Sequence, residues 1–170
     1  VIMCGIAGIL SAVNQQLPSD VLQNMLQAIS HRGPDGEKMW HNNKQTVLLG
    51  HRRLAIIDVT PAAAQPMHYL NRYSIVHNGE IYNYKELQQK LETEKQVKFI
   101  SSSDTEVVLE MYKQYGVGCL DYFIGMFAFA IYNKDTSAFF LVRDHFGIKP
   151  VFYTQINGAF AFSSELKTLV

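Results

Sequence analysis

The sequence of 170 residues contains only two cysteines, Cys4 and Cys119, and a single tryptophan. Two cysteines supply no disulfide framework, which fits a reducing, cytoplasmic location. There is no surplus of charge either. Fifteen basic and fifteen acidic residues cancel, so no global field draws the chain to nucleic acid or to an anionic membrane. No apolar run approaches the ~20 residues of a membrane-spanning helix, and the N-terminus lacks the basic region of a signal peptide. The six histidines show no His-x3-His spacing and neither cysteine has a neighbouring ligand pair, so no metal site is expected. Glycine-rich phosphate loops, internal repeats and low-complexity linkers are missing as well. What is present is apolar mass, 48% hydrophobic against 18% charged residues, enough for one packed domain over 1–170.

Read in order, the chain alternates strands with amphipathic helices. Gly5 to Leu10 reads as a buried strand. Val21, Leu22, Met25, Leu26 and Ile29 recur at helical spacing behind Pro18-Ser19-Asp20, and His31 to Gly36 is turn chemistry. Trp40, Val47 to Leu49 and Leu54 to Ile57 read as strands around the polar step His51-Arg52-Arg53. A loop with Pro61 and Pro66 follows. Tyr73 to His77 is another strand and Tyr84 to Glu94 a helix. Ser103 with Glu106 forms a capping box for a further helix that Gly116 stops. A short helix around Leu120 precedes strands at 126–132, 139–143, 151–154 and 159–163, and Ser164 to Lys167 resembles a helix start. Many strands with short hairpins, plus two or three long helices, predict an α+β domain of antiparallel sheets covered by helices.

Several polar positions could carry chemistry. Cys4 at the mouth of a strand is ordinarily a small hydrophobe. If Met3 were the initiator and were removed, Cys4 would bear both a thiol and a free α-amine. With unperturbed pKa values of about 8.5 and 7.7–8.0, that amine can take the thiol's proton near neutral pH. Arg53 suits a carboxylate, or a structural salt bridge. Asn78-Gly79 is a tight-turn signal, or an oxyanion site made of a side-chain amide and a backbone N–H. Glu80 and Asp104 fit helix ends, or an ammonium ligand. Arg143-Asp144-His145 lacks any serine nucleophile elbow and reads as a charged network shaping the loop before Gly147.

Seven segments, taken together and in order, carry a resemblance. They are Met3-Cys4-Gly5-Ile6, His31-Arg32-Gly33-Pro34-Asp35-Gly36, His51 to Asp58, Asn78-Gly79-Glu80-Ile81-Tyr82-Asn83, Ser103-Asp104-Thr105-Glu106, Gly125 to Ala130, and Arg143 to Pro150. The chain resembles the N-terminal glutaminase domain of glutamine-hydrolysing asparagine synthetases, a class II glutamine amidotransferase. Nearly the whole chain is covered. The resemblance implies an N-terminal-nucleophile hydrolase fold, a four-layer sandwich with two antiparallel sheets between helical layers. It also implies hydrolysis of L-glutamine to glutamate and ammonia. The ammonia would pass to a C-terminal synthetase domain, absent from this chain, where ATP and magnesium would be used. No cofactor is expected in the domain itself, and a homodimer is compatible with the family.

By the same resemblance, Cys4 is the nucleophile that forms a thioester, with its own α-amine as base and then acid. Asn78 and Gly79 form the oxyanion hole, and Arg53 holds the substrate α-carboxylate in a loop lined by Leu54, Ala55, Ile56 and Ile57. Glu80 and Asp104 hold the α-ammonium, and His31 to Gly36 shapes a loop. The sequence departs from the pattern at its start. With Val1, Ile2 and Met3 attached, the Cys4 amine is tied up in a peptide bond and the chain is expected to be inactive. Two other readings stand beside this one: a domain serving another acceptor, such as a sugar or peptide carboxylate, and a degenerate, non-catalytic domain. The Arg-Gly-Pro-Asp-Gly and Asn-Gly-Glu-Ile-Tyr-Asn forms favour the asparagine synthetase branch.

Overall fold

A computed structural model describes residues 3–55 and 60–170. Its strands are β1 (Gly5–Ser11), β2 (Gly36–His41), β3 (Val47–Arg53), β4 (Met67–Tyr69), β5 (Tyr73–Ile81), β6 (Gly125–Asn133), β7 (Phe139–Arg143), β8 (Phe152–Ile156) and β9 (Ala159–Ser163). The long helices are α1 (Ser19–Ala28), α2 (Tyr84–Lys95) and α3 (Asp104–Tyr115). One sheet has the order β2-β3-β1-β9-β8 and the other β4-β5-β6-β7, with the pairings antiparallel.

Strand alternation sorts the side chains into layers. Ile6, Val47, Leu49, Val76, Ala128, Ala130, Tyr132 and Phe162 meet in one cluster between the sheets. Ala7, Ile9 and Leu48 point the other way, onto Leu22, Met25, Leu26 and Ile29 of the α1 region. Ile75, Ile81, Phe127, Phe129 and Ile131 pack on the opposite outer face against Leu87 and Leu91 of α2 and Val107, Val108 and Met111 of α3. Helix, sheet, sheet, helix is the four-layer arrangement expected.

Helical spacing located all three long helices, but several local expectations fail. The polar step His51-Arg52-Arg53 is strand, the end of β3, and Leu54 and Ala55 lie beyond it. Ile56 and Ile57 lie outside the described residues. Asn78-Gly79 does not turn. It continues β5, with Asn78 opposite Ala128 and Gly79 opposite Phe127. The capping box is half made: Ser103 Oγ accepts from Thr105 N at 3.2 Å, whereas the Glu106 carboxylate accepts from Ile100 N and Ser101 N instead. The tail reads as a short 3-10 turn at Leu166–Thr168.

Candidate active site

The ends of β1, β3 and β5 and the first turn of α3 meet at a cavity. It is lined by Cys4, Arg53, Leu54, Ala55, Gly79, Glu80 and Asp104, seven of the residues singled out in the sequence. Antiparallel pairing is the cause: Gly5 pairs with Arg52, so the start of β1 lies beside the end of β3. Asn78 does not line the cavity. It is 1% exposed and shares an inner-face register with Val76, which packs in the cluster of Ile6 on β1; Cys4 lies just before that strand. Its Nδ2 is buried with no hydrogen-bond partner. A buried amide donor left unsatisfied costs about 1–3 kcal/mol, a sacrifice suited to a site that completes its hydrogen bonds with a ligand.

Cys4 is half-buried and held from two sides. Leu54 N donates to Sγ at 3.3 Å, and the thiol lies 3.4 Å from Leu54 O. Arg32 Nε donates to the Cys4 carbonyl at 3.0 Å, and Arg32 is itself held by Glu165 at 3.1 Å. Burial pushes the thiol's pKa up, while the Leu54 backbone and the charges of Arg53 and Lys149 pull the other way. A resting thiol of this kind needs a base.

The loop expected to be structural is so. Asp35 Oδ2 accepts from Ala55 N at 2.9 Å, and Asp35 N donates to Arg53 O at 3.0 Å. A side chain on Gly33 would bring its Cβ to 2.4 Å from the Arg52 backbone. The segment thus clamps the chain as it leaves β3, where Arg53 Nη2 donates to Thr60 O at 3.1 Å. Asp144 is likewise a loop-shaper. Its carboxylate accepts from the backbone N–H groups of Phe146, Ile148 and Lys149 at 3.1, 3.0 and 2.9 Å, and these bonds hold its pKa down.

Gly79 has φ +153°, and a Cβ there would stand 2.2 Å from Met126 O, so this position admits only glycine. Asp104 is 4% exposed and accepts from Ile81 N at 3.0 Å, which ties the start of α3 to the end of β5. Glu80, on the same stretch of β5, is only half-buried.

His51, Gln65, His77, Ser103 and Thr105 also line the cavity and were missed as site residues. Their arrangement follows from the sheet edge. β4 pairs with β5 only as far as Met67 opposite Ile75, so His77 continues past it. Gln65 Oε1 takes the His77 N–H at 2.5 Å, and His51 Nε2 donates to the His77 carbonyl at 3.2 Å. Gln65 Nε2 donates to Thr105 Oγ1 at 3.3 Å, and Thr105 Oγ1 lies 3.1 Å from His77 Nδ1. Burial lowers the pKa of both histidines, that of His51 to about 3, so both are neutral. In the sequence Gln65 lies in a loop, His51 in the polar step between two expected strands, and His77 at the end of a strand.

The cavity can recognise a zwitterion. A guanidinium, two carboxylates and a thiol line one small space together with Gly79; the neighbouring Asn78 amide is buried and does not line it. Among the described residues no group of three or more His, Cys, Asp or Glu is arranged to hold a metal ion. No helix among them is long and apolar enough to cross a membrane.

Comparison with known proteins places this geometry. A family model described as a glutamine amidotransferase domain matches residues 3–170. The chain is 41% identical over 170 residues to asparagine synthetase [glutamine-hydrolyzing] 2 of Bacillus subtilis, covering 98% of this chain and 22% of that protein. It is 42% identical over 172 residues to asparagine synthetase [glutamine-hydrolyzing] 1 of the same organism, covering 99% of this chain and 27% of that protein. The chain therefore spans about a quarter of the length of these curated relatives. Among solved structures, glutamine phosphoribosylpyrophosphate amidotransferase from B. subtilis superposes with a TM-score of 0.83 at 22% identity, over 98% of this chain and 43% of that one. That likeness bears out the fold, a sandwich of two antiparallel sheets between helical layers.

Proposed function

The chain belongs to the glutamine amidotransferase domain family, and on that premise we propose that it hydrolyses L-glutamine to glutamate and ammonia through Cys4. The observation that carries the reading is the placing of Cys4 in one cavity with Arg53, Gly79, Glu80 and Asp104. Arg53 receives the α-carboxylate, and Glu80 and Asp104 receive the α-ammonium. These groups complement the two charges of a free amino acid, a pairing that amides lacking the amino-acid end forgo. Leu54 and Ala55 carry the loop between them, with Ile56 and Ile57 assigned to the same loop by the resemblance.

Reaction begins when the α-amine of Cys4, free once the preceding residues are gone, takes the thiol proton. Sulfur attacks the side-chain amide carbon, and the negative charge on its oxygen is met by the Asn78 amide and the Gly79 N–H. The carbon–nitrogen bond breaks as the Cys4 ammonium returns the proton to the leaving nitrogen, giving ammonia and a thioester. Water then attacks the thioester with the amine again as base, releasing glutamate and the thiol. No cofactor enters these steps. With Val1, Ile2 and Met3 attached the base is missing and the chain is inactive.

In the whole protein we assign the ammonia to an ATP- and magnesium-dependent synthetase domain, for asparagine synthesis in the cytoplasm. The similarity to two asparagine synthetases supports this assignment. The test is glutamate formation by a chain that begins at Cys4, with Cys4→Ala as control. Activity lost in Cys4→Ala is the expected result; activity retained in that variant would refute the assignment.

A further inference from the structure

Lys149 has no part in the chemistry above, yet its placement is costly. Among the described residues it is the only buried lysine, 3% exposed. Burying an ammonium is unfavourable unless the site uses or neutralises it. Its backbone is fixed by the Asp144 clamp, and its Nζ donates to Met3 Sδ, on the residue immediately before Cys4. A thioether is a weak acceptor. The fold thus sets a cation against the side chain of the residue that precedes the nucleophile. Burial lowers the Lys149 pKa; Glu80, then Cys4 and Asp144, act to raise it, while Arg32 lowers it further. On Cys4 the acting cations are Arg53 and Lys149. Buried His77 and His51 are neutral and add no charge of their own.

We propose that Lys149 is a positioning residue of the glutaminase site, its buried ammonium favouring the neutral form of the Cys4 α-amine and the thiolate form of its sulfur. The proposal rests on the reading of Cys4 as an N-terminal nucleophile. Once Met3 is removed, Nζ loses its thioether acceptor beside the new terminus. A cation there disfavours a second cation on the amine and favours an anion on sulfur. Both effects carry the active pair to lower pH, so the acid limb of activity depends on Lys149.

The experiment uses three chains beginning at Cys4, verified by intact mass: unsubstituted, Lys149→Met and Lys149→Arg. For each, kcat/KM for glutamine and the rate of iodoacetamide alkylation at Cys4 are followed from about pH 5 to 9. In Lys149→Met both acid limbs are expected to move up by about one pH unit, a roughly tenfold loss below the limb. Arginine, which stays charged throughout, is expected to restore the limb to its original place. A loss in Lys149→Met that is uniform across pH, or no loss, would overturn the proposal. If Lys149→Met does not fold, Lys149→Gln takes its place under the same criteria. Should the unsubstituted chain hydrolyse no glutamine, the functional reading fails separately. The alkylation profiles then decide for Lys149: a limb that moves supports the charge coupling, and one that does not overturns it.

Discussion

The two cysteines stand in opposite surroundings. Cys119 is completely buried in the aromatic and aliphatic cluster beneath α3, and burial drives its thiol up to about 12. Cys4 is also pushed up by burial, but it meets a backbone N–H and two cations that offset the push. Burial alone makes a thiol inert, whereas burial among donors and charge leaves one that a modest base can activate. Met3 and the Met3-Cys4-Gly5-Ile6 segment single out Cys4 in the sequence, but not the surroundings of either thiol. The difference comes from what the fold brings to each: a helix core for one, and the ends of three strands for the other.

Substitution tests this contrast, and the largest expected effect is at the nucleophile. In a chain beginning at Cys4, Cys4→Ala should lower kcat for glutamine hydrolysis by at least about 10³-fold, measured as glutamate release. The next is Asn78→Ala. Loss of its buried, unpartnered amide should cost about 10²–10³ in kcat with a smaller change in KM, because that donor serves the developing oxyanion more than the ground state.

A smaller effect lies in the polar wall that Cys4 has and Cys119 lacks. The folded pKa of His51, about 3, lies below its unfolded value of about 6.5. The unfolded state therefore binds a proton that the folded state does not. Stability from this group is complete above about pH 6.5 and declines toward pH 3, by up to about 1.4 kcal/mol per pH unit. Denaturant unfolding at pH 7 and pH 5 should show that loss, and His51→Gln should show less of it. The smallest effect is Cys119→Ala, expected to cost about 1 kcal/mol of stability by the same unfolding assay and to leave kcat unchanged. A fall in kcat there would break the contrast.

How much of this was legible in the residues varies with the range of the forces involved. α1 and α2 each bury one stripe, whereas α3, buried all round over Asp104 to Met111, was marked by its start signal at Ser103 and its stop at Gly116. Asn78-Gly79 misled, because turn chemistry is a local preference and the β6 ladder over Gly125 to Asn133 overrides it. β4 was unreadable: three residues, Met67 to Tyr69, owe their strand form to pairing with Tyr73 to Ile75. Arg53, Glu80 and Asp104 were recoverable as cavity residues because each sits in a recognisable segment. Gln65 and His77 were not, since each reaches the cavity by filling a gap that only the assembled sheets create.

The central claim is that Cys4 acts with its own amine, and the direct measurement compares glutamine hydrolysis by two chains of verified intact mass. One begins at Cys4; the other carries Val1, Ile2 and Met3. The account predicts glutamate release by the first and none by the second. Equal activity with the three residues still attached would contradict it and require another base.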